Sequence, residues 1–404
     1  MSRAAQAEPG GQASLWTFEF AALCAISVLA FCNIAIFYGF YGHLTALGIP
    51  PAWRGPLLAL EPLTAFALRP FLGRWLTLGN GPRFMCAGLT LATLSLLSYP
   101  FATAIPVLAL VRVIHGAGFV ALVSGIMGVL TGVLPKEKSA QGFGLFSITI
   151  LVPYALMPPF VELLLPHLPG HGEVYAVAAP LMLPAFLLLI PLARKTRALA
   201  AALPPAHLER PSWDEVRQSL RDSSVLLLLC ANLALLAAHS IVFFFMRDFA
   251  LGLAAVNPGL FFTCANTATI GVRLVFSSAL NRLDQGGTLA KAFFGLGVLL
   301  PLFSLAWTPW ALWLMAPLYG IGLALTMPLA NAAMFRVSPP RLRAFNANLL
   351  MVTVDAGFFA GPLIGGLLMA AGWTHGGLFG LGGALMAAAG LCTLPVARRM
   401  RRAG

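Results

Sequence analysis

Charge is what this 404-residue chain has least of: 9% of its residues are Asp, Glu, Lys or Arg, while 59% are hydrophobic. A soluble domain carries roughly a quarter charged residues, so an ordinary water-soluble enzyme is excluded. Acids are scarcer than bases, 13 against 25 Lys and Arg. Cysteine is sparse as well. Cys24, Cys32, Cys86, Cys230, Cys264 and Cys392 fall in apolar stretches without close ligand spacing, and they read as packing residues rather than disulfides or metal ligands. There is no G-x-x-x-x-G-K-[ST] loop and no soluble stretch to carry one. ATP use has no support, and no metal or other cofactor is expected. Alternating apolar and polar residues are also missing. The apolar runs are unbroken, as from Leu181 to Ala193, which excludes a membrane β-barrel.

Long apolar segments dominate instead. Bounded by Gly, Pro and charge, they fall near 15–41, 54–77, 83–103, 105–134, 138–166, 174–194, 223–250, 256–280, 288–307, 309–337, 341–371 and 375–397. Twelve helices of about 20 residues would use roughly 240 positions, leaving enough for short loops and one longer connection. The predicted fold class is an all-α polytopic membrane protein with twelve transmembrane helices. The polar start, Met1 to Ser14, precedes an apolar stretch too long for a cleaved signal, so the first span is expected to be retained.

The net charge of +12 takes its meaning from its placement. With the N-terminus inside, Arg74, Arg83, Lys136, Lys138, Arg194, Lys195, Arg197, Arg336, Arg341, Arg343 and the tail Arg398, Arg399, Arg401 and Arg402 all fall on the cytoplasmic side. Outer loops and span ends receive only Arg54 and Arg247. This is the positive-inside pattern. The basic charge is therefore topological, the expected partner is a lipid bilayer rather than nucleic acid, and the expected location is the cell (inner) membrane with both termini cytoplasmic. His167 and His171 have only Glu173 nearby to complete a metal site, and they read as a solvated outer loop.

The chain also repeats itself. A shift of 204 positions brings Leu134-Pro135 onto Ser338-Pro339, Gly116 and Gly118 onto Gly320 and Gly322, and Arg69 onto Arg273. A constant offset across several spans predicts two pseudo-symmetric six-helix bundles, residues 1–194 and 223–404, joined by a cytoplasmic linker over 195–222. Within that linker, Trp213 to Leu220 reads either as an amphipathic helix on the inner membrane surface or as a plain tether.

On this layout the chain resembles the major facilitator superfamily over nearly all of its length. Arg112-Val113-Ile114-His115-Gly116-Ala117-Gly118 resembles the fourth-helix R-x-x-Q-G-x-G pattern of its proton-coupled drug and metabolite antiporters, with His115 in the glutamine place. The loop after span two keeps Gly73, but Thr77 and Asn80 replace the family's acid and second glycine. In the second half Asn281-Arg282 keeps only the arginine. Span five has Met157-Pro158-Pro159 in place of a glycine-proline motif that reappears in span eleven as Gly357, Gly361, Pro362, Gly365 and Gly366. The resemblance implies a secondary transporter that alternates access about a central site. Proton-coupled export of a small organic compound is the first expectation. The alternatives are uptake or exchange of an organic anion, and a non-transporting membrane sensor or scaffold.

An ionisable group inside a span costs at least about 2.5–3.5 kcal/mol on insertion scales, so the few present are the proton-coupling candidates. Glu61 and Arg112 each lie about ten ångströms below the outer face at 1.5 Å per residue. Either Glu61 exchanges a proton that Arg112 holds or releases, or the two form a permanent pair that locks helices. Asp355, near mid-depth beside the span-eleven glycines, is either a second proton site or a latch to Arg273 or Arg69. His115 and His239 sit toward the middles of spans four and seven, which line the cavity in the resembled family. They can bind substrate, titrate or simply hydrogen-bond a neighbour. Asn33, Phe37, Tyr38, Phe243, Tyr319 and Asn331 lie in spans one, seven and ten, the other cavity-lining spans by the resemblance; they either offer aromatic faces and neutral hydrogen-bonding groups to a midsized organic substrate or, for the aromatics, simply face lipid or core. Glu19 and Glu162, near span ends where they can reach interfacial water, read as structural, and Trp307, Trp310 and Trp313 as interface anchors.

Overall fold

A computed structural model describes residues 15–76, 78–134, 139–202, 217, 219–280, 284–339 and 342–403. Thr77, Pro135, Asn281, Arg282 and the stretch containing Trp213, Asp214 and Glu215 lie outside the described residues. Helix follows helix, and no strand occurs among the described residues. In chain order they are α1 (Phe18–Ala46), α2 (Pro51–Trp75), α3 (Gly81–Phe101), α4 (Ile105–Val133), α5 (Ser139–Leu164) and α6 (His171–Ala201). The second series is α7 (Ser223–Gly252), α8 (Leu260–Leu280), α9 (Gln285–Leu305), α10 (Pro309–Val337), α11 (Arg343–Ala370) and α12 (His375–Ala403).

Ten helices among the described residues are long and apolar enough to cross a membrane. The other two are α2 and α8. Arg54, Glu61, Arg69 and Arg74 dilute the apolar character of α2, and in α8 the apolar part is the shorter Leu260–Val275. The boundaries otherwise follow the apolar runs closely, except that helix continues past 41 to Ala46 in α1, past 194 to Ala201 in α6 and past 397 to Ala403 in α12. The linker's first residues therefore extend α6 rather than forming loop.

Local chemistry explains the ends. Gly48 and Gly372 adopt φ of +70° and +88°, and the residues after them, Ile49 and Trp373, donate back to the carbonyls of Leu44 and Leu368. These are left-handed caps that satisfy terminal carbonyls. Ala254 makes the same turn at φ +61° without a glycine's freedom. Thr17, Asp222, Asp284 and Thr308 cap helix N-termini with side-chain oxygens, supplying acceptors to orphan N–H groups.

The 204-residue repeat is visible in the packing. A side chain on Gly116 would strike the carbonyl of Glu61, and one on Gly320 that of Ala265, which is Glu61 shifted by 204. Gly118 lies against Ala92 and Gly322 against Leu296, again 204 apart. Gly55 of α2 meets Leu363 of α11, while its counterpart Gly259, just before α8, meets Pro159 of α5. Small residues permit these approaches because in lipid, packing rather than hydrophobicity drives helix association. Gly116→Val and Gly320→Val are each expected to cost about 1–3 kcal/mol by overpacking. Gly295→Ala, which faces open space, should leave thermal melting of the purified protein unchanged.

The helix contacts fall into two sets. Within the first, α1 packs on α4, α5 and α6, and α4 on α2 and α3. Within the second, α12 packs on α7 and α9, α7 on α11, and α10 on α8 and α9. The sets meet through α2 with α11, α5 with α8, and the last part of α1, Ile36–Ala46, with α7. The earlier part of α1, Phe18–Ala35, packs instead on its own set.

Candidate functional site

Arg112 of α4 is 1% exposed, the largest fully buried side chain among the described residues. Its position follows from a proline. Pro62 has no N–H for the carbonyl of Leu58 one turn earlier, and Arg112 fills that vacancy with Nη2 at 3.0 Å. Its Nε donates to the Leu57 carbonyl at 3.3 Å and its Nη1 to Tyr99 Oη at 3.5 Å. Glu61 Oε2 lies 3.6 Å from Nη2, and the rings of Phe37 and Phe40 lie 5.4 and 4.7 Å from the guanidinium carbon. Bonds to neutral carbonyls, a carboxylate and two ring faces together offset the cost of burying the charge.

His115 continues this network. Its Nδ1 is 3.2 Å from Tyr99 Oη, and its Nε2 bonds the Oδ1 of Asn33. Asn33 and His115 are 1% and 0% exposed, so both are enclosed within the first helix set. Four predicted residues, Asn33, Glu61, Arg112 and His115, therefore form one buried cluster. Tyr99, which joins them, was not singled out by the sequence. It lies at the end of α3, where nothing in the local pattern separates it from an interfacial tyrosine.

A second cluster gathers His239, Phe243 and Tyr319. His239 Nδ1 is 2.7 Å from Tyr319 Oη, and the rings stack at 6.1 Å. Phe358 stands edge-on to His239 at 5.7 Å. The shift of 204 places Tyr319 on His115, so equivalent positions each carry a hydrogen-bonding ring. Tyr154 of α5 reaches Phe243 across the two sets at 5.5 Å and approaches Phe31 at 6.4 Å, giving an aromatic bridge between them.

Asp355 meets Arg69, with Nη2 to Oδ1 at 2.9 Å and a second, Nε bond to Oδ2. This bidentate pair joins α11 to α2, as one sequence alternative anticipated. Arg273, the other possible partner, is elsewhere, 3.2 Å from Ser147 Oγ. Asn331 is exposed and donates to the carbonyl of Met327 in its own helix at 3.0 Å, apart from the other substrate candidates.

Tyr38 belongs to a third group. It donates to Glu162 of α5, which also accepts from Arg247 of α7 at 2.6 and 3.2 Å. Glu162, read from sequence as a span-end residue reaching interfacial water, is instead a buried bridge between α1, α5 and α7. Its side chain and that of Arg247 are 8% and 7% exposed. His171 also departs from the solvated-loop reading. It begins α6, is 8% exposed, and its ring lies 5.8 Å from that of His43, whereas His167 is exposed. Both corrections have one cause: the last turns of α1 and α7 close over these residues, a tertiary contact absent from any local pattern.

A profile of the Major Facilitator Superfamily matches residues 23–345. The chain belongs to the Major Facilitator Superfamily. It is a transporter of that superfamily and not an enzyme. A solved point mutant of the nucleoside transporter NupG superposes with a TM-score of 0.72 at 14% identity, covering 95% of this chain and 99% of that one. A point mutant of the peptide transporter POT in complex with sulfate gives 0.69 at 14% identity, covering 98% and 96%. At such identities these likenesses speak for the superfamily fold alone. No curated protein matches the chain by sequence.

Proposed function

We propose that this superfamily member is a proton-coupled secondary transporter of a small organic compound, with export as its direction. In this reading α2 and α8 complete twelve spans. Residues 1–194 and 223–404 form two bundles around the linker 195–222, and both termini face the cytoplasm at the inner membrane. Placing the Lys and Arg residues on that side supports the orientation. The bundles rock about the aromatic bridge, where His239, Phe243 and Tyr319 meet substrate, while Asn33, Tyr38 and His115 become available as helices shift.

The observation that carries the proposal is the bidentate Asp355–Arg69 pair between α11 and α2. Glu61 lies on the same helix, eight residues before Arg69 and about 12 Å along its axis. A pair across a moving boundary must break when the boundary opens. An anion left alone in the membrane interior is costly, so separation and proton uptake go together. Arg112 holds Glu61 ready for the same exchange.

The contact of Ile36–Ala46 with α7 and the Glu162–Arg247 bridge support a conformation sealed at the outer end. Glu162→Gln is expected to shift the equilibrium at least tenfold toward outer opening, since removing one partner of a buried pair costs about 3–5 kcal/mol. Spin labels at Leu47 and Leu253 on a cysteine-depleted background would report a longer distance; an unchanged distribution would count against the seal.

Untargeted metabolite comparison of cells with and without the protein names candidate compounds, and flux in proteoliposomes under an imposed pH gradient tests them. Movement driven by the gradient is the expected result. No movement of any candidate in either direction would leave the sensor or scaffold reading in its place.

A further inference from the structure

Among the described residues four arginines sit within the helical interior, Arg69, Arg112, Arg247 and Arg273, and the first three have a carboxylate partner: Asp355, Glu61 and Glu162 respectively. Arg273 has none among the described residues. Its neighbours are neutral, Ser147 Oγ at 3.2 Å and Met327 Sδ at 4.0 Å, and its Nε is buried without any acceptor. A guanidinium with five donors and such partners is under-satisfied in a place where charge is expensive.

The internal repeat shows what is missing. Shifting by 204 carries Arg69 onto Arg273 and the α2–α11 boundary onto the α8–α5 boundary, as the paired contacts of Gly55 and Gly259 show. The same shift carries Asp355 back onto Leu151. One boundary thus holds its own carboxylate and the other does not. One turn from Ser147, a side chain built on Gly144 would meet nothing within 4 Å, so α5 is not closely packed there.

We propose that the missing carboxylate comes from the ligand: Arg273, assisted by Ser147, binds the carboxylate of a small aromatic organic acid. The body of that acid extends toward Tyr154, which lies two turns along α5 from Ser147, about 10 Å at 1.5 Å per residue. There Tyr154 and Phe243 offer ring faces. The substrate class is therefore an organic anion with an apolar, planar body. This rests on the reading of a ligand path between the two helix sets, but it is tested by binding alone.

The test uses purified full-length protein in detergent, with benzoate as the probe and benzamide as its uncharged counterpart, read by calorimetric titration. Benzoate should bind the wild-type protein saturably and Arg273→Gln at least tenfold more weakly, while benzamide binds both weakly. Leu151→Asp, which restores an internal acid, should also weaken benzoate binding and should raise the melting temperature. That rise should vanish when Leu151→Asp is combined with Arg273→Gln, a readout that holds even if Arg273→Gln alone folds poorly. Equal benzoate affinity in wild type and Arg273→Gln, or no saturable benzoate binding by the wild type, overturns the proposal. Binding of benzoate through Arg273 without any flux would overturn the transport reading and leave this one intact. Gradient-driven flux of an organic compound unaffected by Arg273→Gln would do the reverse.

Discussion

Asp355→Asn and Glu61→Gln, each purified and reconstituted, are expected to reduce pH-gradient-driven transport to below about one hundredth of the wild-type rate. An amide keeps the shape of the carboxylate but cannot take up or release the proton. In Asp355→Asn it also leaves Arg69 without a counter-charge at the boundary between α2 and α11. Losing one partner of a buried pair costs about 3–5 kcal/mol, more than two orders of magnitude in a population. Exchange of compound for compound, with no gradient, separates two roles. A residue needed only for coupling should leave exchange measurable, whereas a residue that latches the helices should abolish both. Coupling unchanged in both variants would remove the carboxylate mechanism.

Arg112→Leu is expected to be the most destabilising single change, by about 3–5 kcal/mol. It strips the Leu57 and Leu58 carbonyls and Tyr99 Oη of their donor and leaves Glu61 buried without a cation. Combining it with Glu61→Leu should recover much of that loss, because replacing a whole buried pair by apolar groups is often neutral whereas removing half of it is not. Thermal melting of the purified variants is the measurement. A double variant no better than Arg112→Leu would mean that the carbonyl bonds, not the ion pair, hold α4 against α2. Arg112→Lys should fall between, since an ammonium lacks the planar fork that reaches both carbonyls.

The sequence by itself determined the helices. Lipid leaves backbone polar groups no partner outside their own segment, so every apolar run long enough must be a helix, and breaks at Gly, Pro and charge set its ends. The repeat was equally legible, since Gly116 and Gly320 are needed wherever a backbone must approach another closely. The resemblance to the superfamily rested on that layout and on the fourth-helix pattern around Arg112 and His115, and the family profile shows the membership. What only the tertiary structure decided is who meets whom. Asp355 had two candidate arginines at comparable depth, and the lateral arrangement of α2, α8 and α11 chose Arg69. Glu162 and Arg247 looked like unrelated span-end residues because their contact spans 85 positions. Asn331 shares a helix with Tyr319 yet faces elsewhere, since its facing depends on how α10 is rotated, and the apolar character of α10 is too uniform to reveal a preferred side. Helical periodicity is local information, whereas ion pairs in a membrane interior are chosen by packing between segments far apart in the chain.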